Sequence, residues 1–160
     1  PAILLWLWFS GGRQRHRQAL FCTLSILIAL GLGSICGMLL FHPRPFMIPL
    51  GHTWINHPAD NSFPSDHGTV IFTFALAFLF WHRLWTGALL MVVAVAIAWS
   101  RVYLGVHWPL DMLGGLLAGL IGCLSAQMIW QRFGATLYLG LQTCYRACFA
   151  LPIRKGWVRD

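Results

Sequence analysis

The twelve-residue stretch Ser100-Arg-Val-Tyr-Leu-Gly-Val-His-Trp-Pro-Leu-Asp111 carries one arginine, one histidine and one aspartate between two hydrophobic runs. His107 and Asp111 are one helical turn apart, so the carboxylate reaches the imidazole if the segment is helical there. A carboxylate on one ring nitrogen fixes the tautomer and leaves the other nitrogen to attack or to take a proton. Arg101 adds a forked cation suited to a phosphate or a carboxylate. Taken alone, the same residues also fit an interfacial histidine capped by an acid.

A second set lies upstream. His42-Pro43-Arg44-Pro45 opens a polar loop in which the prolines stiffen the backbone around Arg44. Phe63-Pro64-Ser65-Asp66-His67-Gly68 closes that loop just before an apolar run. Ser65 or Asp66 suits the N-cap of a helix, whose free N–H groups and positive dipole end favour an anion. Ser65 adds a hydroxyl, and His67 is positioned to hand a proton to a departing oxygen; a capped helix beside a surface histidine is the plainer alternative. His42, His52 and His57 share the loop with Asp60, but their spacing fits no zinc pattern. Two arginines, a serine at a helix start and two histidines, one backed by an aspartate, form the equipment of phosphoryl transfer without a metal.

The elements that must position these residues are hydrophobic. Of 160 residues, 58% are hydrophobic and 9% charged, where a soluble domain carries about 25% charged residues. The mean hydropathy is +0.69, so the chain reads as an all-α integral membrane protein. The apolar runs are 1–9, 19–41, 69–81, 84–99 and 110–130, and 135–153 reads as an interfacial helix or a further span. About five to six transmembrane helices in one bundle are expected, a single membrane-embedded domain over 1–160. Residues 1–9 are too short to cross a bilayer, which takes about 20 residues, so an upstream part of the first helix is expected to be missing. No basic region precedes that run, which argues against a cleavable signal peptide.

Gly11 to Arg17 reads as a compact basic loop, and His82-Arg83 as a cationic turn. With residues 11–18 in the cytoplasm, nine of the 11 Lys+Arg fall inside and only Arg44 and Arg101 outside. The loop 42–67 and the stretch 100–109 then share the outer face and can meet in one site. His16 and His82 read as interface residues of inner turns. The nine tryptophans fall mostly near helix ends, as an aromatic belt would. The five cysteines form no CxxC pair, and most lie in apolar runs or near their ends, where a free thiol behaves as a small hydrophobe; neither a disulfide framework nor a metal site is expected from them. The charge of +7 comes with no nucleic-acid motif, so anionic lipid headgroups, not nucleic acid, are the expected partners of the basic residues.

Arg44-Pro45, then Pro64-Ser65-Asp66-His67, then Ser100-Arg101-x5-His107-x3-Asp111 resembles the type-2 phosphatidic acid phosphatase superfamily, whose three motifs are K-x6-R-P, P-S-G-H and S-R-x5-H-x3-D. The resemblance covers roughly residues 37–111, and the third match is complete. Two positions depart from it: the expected lysine is Gly37, and the glycine of the second motif is Asp66. The wider pattern, including Ser-Phe-Pro-Ser-Asp-His and Val-His-Trp-Pro-Leu-Asp, is similar to the bacterial undecaprenyl-diphosphate phosphatase branch.

That resemblance implies a polyprenyl diphosphate substrate and an active site on the outer face of the bacterial inner membrane, with no cofactor or metal. It also implies the roles. Arg44, Ser65, Arg101 and the backbone N–H of Asp66 hold the terminal phosphate. His107 attacks phosphorus, Asp111 orients its ring, and His67 protonates the leaving group and later serves water. The product, undecaprenyl phosphate, would return to service as the carrier of cell-wall sugars. The rival enzymatic readings are a phosphatidylglycerophosphate or phosphatidic acid phosphatase and a lipid A phosphotransferase. A lipid-phosphate binding or transport protein is the rival from another class.

Overall fold

In the computed structural model, which describes residues 2–9, 12–48 and 53–157, the apolar runs become helices. These are α1 (Ala2–Phe9), α2 (Arg13–Leu39), α3 (Asp66–Trp81), α4 (Leu84–Tyr103), α5 (Pro109–Cys148) and the short α6 (Ala150–Arg154). By length and hydropathy, α2, α4 and α5 can each cross a membrane, and α3 is a shorter apolar helix. The chain is a multi-pass membrane protein. Its large apolar residues face outward on these helices, among them Leu27 and Ile35 on α2, Leu89 and Val92 on α4, and Leu117 and Ile121 on α5. In water such a surface would be a liability, whereas lipid tails are as apolar as the side chains themselves.

α3 is the centre of the bundle and packs against α2, α4 and α5. Its sixteen residues rise only about 24 Å, so it holds its place by close packing more than by length. Phe72, Ala75, Ala94, Ala98 and Met112 join α3, α4 and α5 beneath the N-terminal end of α3. Leu76, Ala77 and Phe78 meet Leu7, Ala19, Cys22 and Cys123 toward its C-terminal end. Small residues on α5 allow this approach. A Cβ on Gly115 would stand 2.7 Å from the Thr69 backbone nitrogen, and one on Gly122 would stand 2.7 Å from the Ser25 carbonyl oxygen. α5 therefore lies against the backbones of both α3 and α2.

Two expectations are corrected. The basic segment read as a loop is helical from Arg13 onward, after Gly12 turns the chain at φ 100°; residues 10 and 11 lie outside the described residues. Its arginines lie over aromatic rings: Arg13 over Tyr138, Arg15 over Trp6 and Arg17 over Trp130. Residues 135–148 do not form a separate interfacial helix. They continue α5, which runs unbroken for 40 residues, or about 60 Å. No proline interrupts it, and Tyr138 and Tyr145 are buried. Tyr145 packs edge-on against Trp8 and within 6.2 Å of His16. The aromatic contacts hold the helix beyond its apolar run.

Gly115→Leu is expected to force α3 and α5 apart, at a cost of at least about 1–3 kcal/mol, seen as a lowered midpoint of thermal unfolding in detergent. Gly140→Ala serves as the control, because a Cβ there meets nothing within 4 Å, and its midpoint should hold or rise slightly.

Candidate active site

The C-terminal ends of α2 and α4 and the N-terminal ends of α3 and α5 converge on the segments 40–48 and 53–65. Asn61 ties that loop down: its amide nitrogen donates to the Gly37 carbonyl at 2.8 Å and to Phe63 O at 3.0 Å. Its amide oxygen accepts from the His42 N–H at 2.8 Å. The Ser62 N–H in turn donates to His42 O at 2.8 Å. Segments 42–44 and 60–62 thus run side by side over the bundle. Gly105, at φ 72°, reverses the chain after α4, and Pro109 starts α5 at a position where a missing N–H costs nothing.

Asp111 lies in the first turn of α5 with no exposed surface. It accepts from the Trp108 N–H at 2.8 Å, from His107 Nδ1 at 3.3 Å, from His42 Nδ1 at 3.2 Å and from the Ser62 hydroxyl. On the far edge of the same imidazole, His107 Nε2 lies 3.1 Å from Arg44 Nη1. A guanidinium only donates, so Nε2 is the acceptor and Nδ1 carries the proton. This is the tautomer with a lone pair directed away from the carboxylate.

Arg44 is buried, and three of its other four N–H groups are committed to protein oxygens: Nη1 to Val106 O at 2.9 Å, Nη2 to Asn61 O at 3.3 Å and Nε to Asp60 Oδ1 at 2.6 Å. Burial opposes ionisation of Asp60, but the hydrogen bond and charge of Arg44 outweigh it and hold the carboxyl below its usual range. The pair is therefore intact at neutral pH. It is lost only as pH falls through that lowered value, below the ordinary aspartate range of about 4.

Ser65 caps α3. Its Oγ accepts from the Gly68 N–H at 3.2 Å, while its own N–H donates to Asp111 O at 3.2 Å. Asp66 and His67 follow in the first turn of α3, both exposed. Acid at this end of a helix is favourable to the dipole. Arg101, in the last turn of α4, is half-buried and makes no side-chain hydrogen bond with the described residues. His67 feels the charges of Arg101, His107 and Asp66. Of the seven residues singled out in the sequence, Arg44, Ser65, His107 and Asp111 are thus buried and joined. Asp66, His67 and Arg101 stand at the open rim above them.

The missing lysine has a local counterpart. A Cβ on Gly37 would stand 3.0 Å from Asn61 Nδ2 and 3.3 Å from Phe63 O, so the clamp residue occupies the space a side chain would need. The sequence reading misses Ser62 and Asn61 as site residues and weighs His42 and Asp60 only as metal ligands. The one signal available was Asp111 itself, since a buried carboxylate demands several donors. His52 lies outside the described residues.

An all-helical membrane protein with a tautomer-fixed histidine beside a buried arginine and below a helix N-terminus is the class this geometry defines. The chain matches the PAP2 superfamily over residues 18–134 and belongs to it. It is 64% identical over 160 residues to YbjG of Escherichia coli (strain K12), which is provisionally named an undecaprenyl-diphosphatase; the match spans 99% of this chain and 79% of that one. It is 35% identical over 119 residues to the undecaprenyl-diphosphatase BcrC of Bacillus subtilis (strain 168), covering 74% of this chain and 61% of the relative. The crystal structure of Aquifex aeolicus LpxE is similar with a TM-score of 0.68 and 28% identity, covering 79% of this chain and 74% of that one.

Ser62→Ala takes a donor from Asp111 where water does not reach, so a loss of about 1–3 kcal/mol is expected. Asp60→Asn breaks an ion pair whose carboxylate side is more than half exposed and should cost under about 1 kcal/mol. Thermal unfolding of the two variants side by side checks the order; an equal or reversed loss contradicts it.

Proposed function

We propose that this chain hydrolyses undecaprenyl diphosphate to undecaprenyl phosphate and inorganic phosphate, through a phosphohistidine on His107, at the outer face of the bacterial inner membrane. The observation that carries this reading is the imidazole of His107, with Nδ1 against Asp111 and the unprotonated Nε2 beside the Arg44 fork. The names of the YbjG and BcrC relatives support the choice of substrate.

The entering terminal phosphate takes over the Arg44 N–H that now faces Nε2, which frees the lone pair. Arg101, the first-turn N–H groups of α3 and the Ser65 hydroxyl share its remaining oxygens. Nε2 then attacks phosphorus, and the bond to the bridging oxygen breaks. His67 passes a proton to that oxygen, so the lipid monophosphate departs without building up charge. Asp111 stabilises the imidazolium that forms, as an orienting carboxylate does beside other catalytic histidines. In the second step water attacks phosphorus, His67 takes its proton, the P–N bond breaks, and phosphate leaves. Each role falls to a side chain or a backbone N–H of this chain. The isoprenoid tail stays among the helices while the headgroup rests at the rim.

Phosphate release from undecaprenyl diphosphate, phosphatidylglycerophosphate and phosphatidic acid, measured in EDTA, tests the reading. Release is expected to be fastest from the first, unchanged by the chelator and abolished in His107→Ala. Loss in EDTA restored by a divalent ion would overturn the metal-free route, and preference for a phosphatidyl substrate would move the chain to that class. Transfer of phosphate to lipid A instead of water would make it a phosphotransferase. No release from any lipid phosphate would leave a binding or transport role.

The orientation has its own test. A membrane-impermeant thiol reagent is expected to label Ala59→Cys in intact cells, since Ala59 is exposed in the outer loop. Cys144 and Cys148, exposed near the opposite end, should label only after the membrane is opened. The reverse order would put the site in the cytoplasm.

A further inference from the structure

His57 belongs to none of the three motifs, and the steps above do not use it. Its ring centroid nevertheless lies 6.5 Å from that of His107, at an interplanar angle of 73°. Phe46 backs it at 6.3 Å. Its Nδ1 is 3.1 Å from Pro58 O, and a carbonyl only accepts, so Nδ1 carries a proton. The other nitrogen, Nε2, is left to gain a second proton and become a donor.

The surroundings settle which side of His107 it faces. The Nδ1 edge of His107 is filled by Asp111 and Ser62, neither of which has exposed surface. His57 is half-buried in the outer loop, so it stands on the side from which a phosphate arrives. In an in-line transfer the nucleophile and the acid sit at opposite ends of the reacting axis, so a group beside the nucleophile on the entering side stands next to the equatorial oxygens that carry the charge.

We propose that His57, in its protonated form, donates to an equatorial oxygen of the phosphoryl group in transit, as a third cation beside Arg44 and Arg101. This rests on the reading of His107 as nucleophile and His67 as acid. Unlike the two arginines, His57 gives the site a charge that depends on pH. The groups that bear on it are His107 from the α4–α5 link, His67 and Asp66 from α3, Arg101 from α4, and Asp60 and Arg44 from its own loop. Asp60 interacts with it, and the incoming phosphate adds a further negative charge beside it.

The test uses the full chain in detergent, with undecaprenyl diphosphate and p-nitrophenyl phosphate as substrates. His57→Gln and His57→Ala are expected to lose about 10²-fold in kcat/KM. The factor should be similar for both substrates, because the equatorial oxygens are common to them. His57→Lys, which restores a cation, is expected to regain most of that loss and to keep its rate to higher pH than the wild type. His67→Ala serves as the contrast: its loss should shrink with the aryl phosphate, whose leaving group needs little protonation. Burst-phase measurement keeps slow dephosphorylation from masking the first step. If the alanine variant does not fold, as judged by gel filtration, the glutamine and lysine variants decide the matter.

A His57→Gln rate within about twofold of wild type would overturn the proposal. So would a lysine variant no better than glutamine, which would mark a structural role. A glutamine loss that disappears with the aryl phosphate would make His57 a leaving-group acid instead. Phosphate release surviving in His107→Ala would bring down the reading of the whole site, whatever His57 does.

Discussion

One carboxylate with no contact to solvent holds one end of this helical bundle together. A charge in such a place is costly unless hydrogen bonds and counter-charges replace the lost water. Asp111 obtains its donors from three separate parts of the chain: the α4–α5 link through Trp108 and His107, and the two arms of the outer loop through His42 and Ser62. Leaving such a buried group one donor short typically costs about 1–3 kcal/mol, so loop, link and helix are bound to a single geometry. The reactive tautomer of His107 follows from the same arrangement, because the nitrogen facing Asp111 must be the one that carries hydrogen.

The loop segment 57–62 is then best understood as a strap whose residues divide the work. Asn61 fastens it to the end of α2, Ser62 serves the carboxylate, and Asp60 braces the guanidinium of Arg44. Positions 44 and 107 are far apart in sequence and on different elements, yet they meet at 3.1 Å because the strap leaves the arginine nowhere else to point. The rim residues are differently built. Asp66 and His67 occupy the first turn of α3, a rigid element locked to α5 by its glycines, while their side chains remain exposed. A fixed floor below mobile-length side chains suits a ligand that must enter and leave.

Much of this was legible in the residues because membrane helices are compositional objects. The runs 69–81 and 84–99 became α3 and α4, and the contact of His107 with Asp111 was foreseen, although His107 lies in the non-helical link before Pro109 and reaches the carboxylate from outside the first turn of α5. Legibility ended where structure depends on long-range contact. The outer loop has no periodicity, so nothing in it announced that His42 and Ser62 would reach Asp111, or that His57 would face His107. Arg13 to Arg17 read as a loop from their charge, yet their exposed side chains sit on a helix face, over the rings of Tyr138, Trp6 and Trp130. α5 outran its apolar stretch for a similar reason, as Tyr138 and Tyr145 found partners on the neighbouring helical hairpin.

The Asn61 clamp also bears on how this sequence could change. Its amide sits where any side chain on position 37 would have to begin, 3.0 Å from that Cβ, so the two positions form an epistatic pair. A side chain at 37 asks the Asn61 amide to give by a few tenths of an ångström, and with it the bonds that fasten the loop to the end of α2. Substitutions so close together do not add, so the effect of a residue at 37 depends on what stands at 61.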